Sequence, residues 1–228
     1  MVIAGIAKNS FIDFPGQVAC VLFVPGCNYC CFYCHNRSLI DGSHDILPLQ
    51  DVMAFLKKRV GMLDGAVITG GEPTLQSDLA PFIRSLREIG YKVKLDTNGA
   101  LPEVVSPLLT EGLCDYFAID YKAPAARYHE ICGGNASAKP VLKTIRLLLE
   151  AHADFEVRTT VIPQLKEEDL LHMAQELPPL PKYVLNRYRK PEKYLPCDTQ
   201  RIESTAYSQS DIVSFVRKIQ IYQPNATT

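Results

Sequence analysis

The sequence predicts an α/β protein built from parallel strand–helix units, and three observations carry that prediction. Short apolar runs recur six times, at residues 18–24, 66–69, 92–96, 116–120, 155–161 and 183–187. The segments between them space their apolar residues at the helical period. Stretches rich in Cys, Gly and Asp follow the runs, at the carboxyl ends of the strands. Six such units form either an open, partial barrel or a doubly wound sheet; periodicity does not choose, but both place ligands at those carboxyl ends.

The first run, VACVLFV, is continuously apolar, as a parallel strand covered on both faces requires. After it, Val52, Phe55, Leu56 and Val60 mark a helix, and AVIT at 66–69 the second strand. Leu79, Phe82, Ile83 and Leu86 precede the third, and Val104, Val105, Leu108 and Leu109 the fourth. Val141, Leu142, Ile145, Leu148 and Leu149 then lead to the fifth, and Leu170, Ala174 and Leu177 follow it. Ile212, Phe215, Val216 and Ile219 form a closing helix. Helices of this length between strands imply right-handed parallel crossovers. Residues 186–208, rich in Pro, Arg and Lys, read as a loop laid over the domain, and the final QPNATT as a frayed end.

A chain of 228 residues, 47% hydrophobic and 21% charged, can bury a full core as one domain. Its 24 basic and 25 acidic residues nearly cancel, so neither nucleic acid nor a membrane surface is expected as a partner. The N-terminus lacks the pattern of a secretory signal, and no apolar run approaches the roughly 20 residues of a membrane span. A cytoplasmic location is expected, where eight cysteines serve better as metal ligands, reactive thiols or core residues than as disulfides.

Four of those cysteines, Cys27, Cys30, Cys31 and Cys34, crowd into PGCNYCCFYCHN. Two registers compete. In one, Cys27-x3-Cys31-x2-Cys34 forms a triplet with Cys30 left over; in the other, two Cys-x2-Cys pairs surround a zinc ion. The second is strained, because adjacent Cys30 and Cys31 would have to converge on one ion. Three thiolates on a four-iron cluster leave one iron for another ligand. Cys20, Cys114, Cys132 and Cys197 have no spacing partners and read as buried or incidental thiols. Beyond the cysteines, GGEPT (70–74), DTNG (96–99) and DYK (120–122) end the second, third and fourth strands. Taken singly, GGEP and DTNG are ordinary turn sequences, Lys122 a solvated charge and Arg158 a paired core residue.

Cys27-x3-Cys31-x-Tyr33-Cys34 resembles the cluster motif of the radical S-adenosylmethionine superfamily, and GGEP resembles its second motif. The phrases IDFPG, GCNYCCFYCHN, GGEPTL, DTNG, DYK and VRTTVIP resemble, in order and spacing, the activating enzymes of glycyl radical enzymes, above all those of anaerobic ribonucleoside-triphosphate reductase. The resemblance implies a partial (β/α)6 TIM-like barrel of parallel strands at 17–190, with a loop and C-terminal helix at 191–228. It implies one [4Fe-4S] cluster on Cys27, Cys31 and Cys34, and S-adenosylmethionine cleaved reductively to a 5'-deoxyadenosyl radical that takes a glycine α-hydrogen from a partner enzyme. It places Tyr33 near the adenine, and Glu72 with the Gly70–Gly71 backbone at the methionine amino group. Asn36, Lys122 and Arg158 match positions that help hold the cofactor, and Asp96, Thr97 and Asp120 a site for a monovalent cation.

The resemblance also implies an external low-potential donor such as flavodoxin or ferredoxin, because only about 35 residues separate Cys34 from Gly70 and no ferredoxin-like insert follows the triplet. Asp13, His35 and RYRKPEK (187–193) are candidate partner contacts. In place of a PYH-type motif the chain has NRYR (186–189), so Arg189 is not taken as a cofactor contact. Two other functions stand beside this one: a radical S-adenosylmethionine enzyme with a small substrate, like 7-carboxy-7-deazaguanine synthase, and a non-catalytic zinc or electron-transfer protein.

Overall fold

All six apolar runs become parallel strands in the structure, a computed structural model that describes residues 1–228. The chain opens with a strand the sequence did not announce, β1 (Gly5–Ser10), antiparallel to β2 (Ala19–Val24). There follow α1 (Arg37–Asp41), α2 (Leu49–Arg59), β3 (Gly65–Gly70), α3 (Leu79–Glu88), β4 (Lys92–Thr97), α4 (Pro102–Thr110), β5 (Tyr116–Asp120) and α5 (Tyr128–Cys132). Then come α6 (Ala138–Glu150), β6 (Phe155–Val161), α7 (Glu167–Glu176), β7 (Tyr183–Arg187), α8 (Thr199–Ile202), α9 (Gln209–Ile219) and β8 (Ala226–Thr227). Strand order follows chain order from β1 to β8, with every pair after the first parallel. The first and last strands do not meet, so the sheet stays open as a partial barrel.

The core lies between the outer face of the sheet and the helices. Cys20, Leu22, Ile68, Leu95, Ile119 and Val157 pack against Leu56, Ile83, Leu86, Val105, Ile145 and Met173. Burying each large apolar side chain contributes about 1.5–3 kcal/mol. Alternate strand positions face the lumen. On β2 and β3 these are Ala19, Val21 and Val67, which pack with Phe14 in a small apolar cluster. On β4, β5 and β6 they are Lys94, Asp96, Asp120, Glu156 and Arg158. One half of the lumen is therefore oily and the other charged.

Two expectations are corrected and one strand is added. QPNATT is not a frayed end: the buried Gln223 amide donates to the carbonyls of Ala174 (3.0 Å), Leu177 (3.2 Å) and Pro178 (3.1 Å) and accepts from Leu180 N–H (3.1 Å). One amide that satisfies four backbone groups anchors the tail, and β8 pairs with β7. Residues 186–208 are more than a loop, since they include α8 and bury Tyr188 and Ile202. β1 escaped periodicity because GIAKNS has no apolar run; it is an edge strand whose Lys8 and Asn9 face water. No helix is long and apolar enough to cross a membrane.

Candidate active site

At the carboxyl ends of β2 to β6 lies a cavity of about 200 Å³, and every residue predicted from the sequence as a ligand or cofactor contact lines it. Cys27, Cys31 and Cys34 form one wall with Tyr33 and Asn36; Gly70, Gly71 and Glu72 come from the end of β3, Asp96 and Thr97 from β4, Asp120 and Lys122 from β5, and Arg158 from β6. His35 also lines it, whereas Arg189 lines a separate cleft near Thr228.

Cys30 is absent from this wall. Its backbone N–H donates to Cys132 O (2.8 Å), and its exposed side chain accepts from Arg37 Nη1 at 3.4 Å. Burial pushes the Cys27 thiol up to about 12 and raises Cys34 as well. Cys31 is held well above its ordinary value by a hydrogen bond with the Cys132 thiol and then by burial. Such thiols lose their protons on binding iron, whose charge replaces the proton's. Cys132, unpartnered in the sequence, is thus a neighbour of a candidate ligand.

Glycines bring the GGEP turn against the cysteine loop. Gly71 N–H donates to Val24 O (2.8 Å), Glu72 N–H to Gly26 O (2.7 Å), and Asn36 Nδ2 to Gly70 O (3.1 Å). A Cβ on Gly71 would stand 1.9 Å from Gly26 O, and Gly70 adopts φ +124° with room for no side chain. Gly71→Ala is therefore expected to push the two loops apart and to lower iron content after reconstitution; full iron content with unchanged cofactor affinity would show that the turn has slack.

Glu72 is fully buried, and its carboxylate is occupied. Oε1 accepts from Thr74 N–H (3.0 Å), Thr74 Oγ1 (2.6 Å) and Thr97 Oγ1 (2.6 Å), and Oε2 from Asn98 N–H (2.7 Å). Burial raises its carboxyl, and these four donors pull it back. Asn98 Nδ2 in turn donates to Asn28 Oδ1 at 2.7 Å. One carboxylate thus ties GGEP to DTNG, and Asn98 ties both to the cysteine loop. Asn98 was missed as a functional residue because Asn-Gly already explains itself as a turn. Tyr29 was also missed; its buried hydroxyl has no partner in the protein.

The opposite wall is ionic. Arg158 bridges Asp96 (Nη1–Oδ2 3.1 Å) and Asp120 (Nε–Oδ1 3.2 Å). Lys94, almost wholly buried, takes the other oxygen of Asp96, and Lys122 pairs with Asp120 at 2.9 Å. Burial opposes ionisation of Asp120, yet Lys122 and Arg158 hold it down to about 2. The cation that lies between the two carboxylates is thus a guanidinium. Arg158 also lines a second cavity of about 320 Å³, on the open side of the lumen, with Asp13, Lys94, Glu156, Lys182 and Asn186.

No three of the His, Cys, Asp and Glu side chains converge tightly enough to hold a single metal ion. A four-iron cluster makes no such demand, because each thiolate holds a different iron. Soft thiols on one wall, a glycine cradle that a Cβ would fill, an orphaned tyrosine hydroxyl and an ionic far wall fit a cluster with a charged organic cofactor beside it.

The fold and this site define a partial barrel with its candidate site at the carboxyl ends of the parallel strands. SuiB of Streptococcus suis bound to S-adenosylmethionine shares the fold at TM-score 0.67 and 15% identity, over 89% of this chain and 48% of that one. The Escherichia coli coproporphyrinogen III oxidase shares it at TM-score 0.56 and 14% identity, over 89% and 51%. The model of the radical SAM superfamily matches residues 21–177, and the chain belongs to that superfamily. It is 33% identical over 201 residues to a Methanocaldococcus jannaschii protein that carries the provisional name of a glycyl-radical enzyme activating enzyme, covering 84% of this chain and 82% of that one. It is 28% identical over 181 residues to the 7-carboxy-7-deazaguanine synthase of Thermococcus kodakarensis, covering 70% of each. Membership implies a [4Fe-4S] cluster and S-adenosylmethionine, and the reading as a non-catalytic zinc or electron-transfer protein falls with it.

Proposed function

We propose that this enzyme activates a glycyl radical enzyme, by the resemblance of its motifs an anaerobic ribonucleoside-triphosphate reductase. The observation that carries the reading is the likeness to the archaeal relative over more than four fifths of both chains. The geometry supports it: the cavity at the strand ends and the open side of the lumen meet at Arg158, so a partner's glycine loop has a route separate from the cofactor's. Asp13, held in its turn by Ser10 Oγ at 2.5 Å, stands on that route.

In this reading Cys27, Cys31 and Cys34 would hold the cluster, and the cluster with S-adenosylmethionine would supply the one-electron cleavage chemistry. The chain's own task is to bind, orient and exclude water. Asn36, Lys122 and Arg158 line two walls of the cavity and would help hold the cofactor there, Tyr33 would lie near its adenine, and the Gly70–Gly71 backbone with Glu72 would shape the amino-group end. A monovalent cation beside Asp96, Thr97 and Asp120 would share the two carboxylates with Arg158, Lys94 and Lys122. Electrons come from an external donor such as flavodoxin or ferredoxin.

The reduced, reconstituted enzyme is expected to release 5'-deoxyadenosine and methionine slowly by itself, and with its partner to produce a glycine-centred radical visible by electron paramagnetic resonance. Absence of both small products from an intact, reduced cluster would overturn the chemistry assigned to this site. The Thermococcus kodakarensis relative favours a second reading, a small-molecule substrate. Product release without a glycine radical, accompanied by turnover of a deazaguanine precursor, would select it.

A further inference from the structure

Arg37 follows the sequence CHN directly, opens α1 and is only 8% exposed. A buried guanidinium normally has a carboxylate partner, because moving an uncompensated cation out of water is expensive. The other deeply placed cations of this protein obey that rule: Lys94 pairs with Asp96, and Arg158 with Asp96 and Asp120. Arg37 does not. No carboxylate lies within 4.0 Å of it, its Nε is buried without any partner, and its Nη1 donates to the Cys30 sulfur at 3.4 Å. Its helix is fastened to the start of the cysteine loop by Gly26 N–H donating to Leu39 O at 2.8 Å. The guanidinium therefore sits within the thiol-bearing loop without a direct ion pair, and the one carboxylate whose charge reaches it is the exposed Asp41 at the end of α1.

We infer that Arg37 is the counter-charge of the iron–sulfur cluster and raises the potential at which the cluster takes up its electron. The inference rests on the reading that Cys27, Cys31 and Cys34 hold that cluster. A four-iron core on three thiolates carries net negative charge, and that charge grows when the core accepts one electron from an external reductant, a step in which no bond forms or breaks. A fixed cation close by stabilises the reduced form more than the oxidised form, and net charge and hydrogen bonding near the sulfurs are what set such potentials. Cys30 acquires a role here too: a non-ligand sulfur that holds the guanidinium in place. Arg37 is a positioning residue, acting through the cluster and not on substrate.

The test is a redox titration of the anaerobically reconstituted full chain, with dithionite as reductant and the paramagnetic resonance of the reduced cluster as readout, before any S-adenosylmethionine is added. Arg37→Gln, with wild-type iron and sulfide content, is expected to have a more negative midpoint than wild type, whereas Arg37→Lys stays near it. An unshifted midpoint in a fully loaded Arg37→Gln overturns the inference, as does an equal shift in Arg37→Lys. If Arg37→Gln holds no cluster, retention in Arg37→Lys supports the need for charge, and loss in both overturns it in favour of packing. Failure of the wild-type chain to assemble a cluster would instead overturn the ligand assignment beneath it.

Discussion

Cys31→Ala is expected to lose the cluster, while Cys30→Ala keeps its colour, its iron count and its production of 5'-deoxyadenosine. Cys31 lies on the cavity wall with Cys27 and Cys34, and removing it leaves two thiolates for a core that needs three. Cys30 projects toward Arg37, so its truncation removes one weak hydrogen bond at 3.4 Å and no ligand. Cys132 complicates the first variant, since its thiol neighbours that of Cys31 and could substitute for it. Residual iron in Cys31→Ala that disappears in Cys31→Ala/Cys132→Ala would identify that rescue. The reverse pattern, a bleached Cys30→Ala beside an intact Cys31→Ala, would sink the register; equal loss in both would restore a four-thiol site.

Glu72→Ala is expected to destabilise the protein as well as weaken cofactor binding. The substitution strands four buried donors, two from Thr74 and one each from Thr97 and Asn98. At about 1–3 kcal/mol for each of the four orphaned donors, the loss is about 4 kcal/mol or more. For a chain of this length that lowers Tm by roughly 8–16 °C. Thermal unfolding and S-adenosylmethionine titration, measured on the same preparation, separate two roles. An unchanged Tm with weakened binding would mean that the carboxylate serves the cofactor alone, as the motif resemblance implies; a fall in both is the result its four protein donors predict.

The parallel α/β design was legible because each strand is a short apolar run and each crossover a helical stripe, both local patterns. The edges were not. GIAKNS and QPNATT bury too little to leave a periodic trace, and β8 exists because Gln223 captures backbone groups of α7 and of the turn after it. The list of lining residues was legible as well, since motifs at strand ends in one sheet must share one face. Their partners were harder to read. Asn28 and Asn98 lie 70 positions apart and meet only because Glu72 anchors the second beside the loop that carries the first.

By itself, then, the sequence determined the class of fold, the crowding of four thiols after the first apolar run and the set of loops that surround them, because spacing along a chain dictates which side chains share a strand end or a helix face. Tertiary structure alone decided what each polar group is bonded to. Arg158 neutralises Asp96 and Asp120 together, Glu72 serves the loops around it, and Cys30 faces an arginine without a direct ion pair. The reason is physical: a buried polar group must find a partner, and that partner is set by the close approach of distant loops, which Gly71 permits by presenting hydrogen where any other residue would strike Gly26.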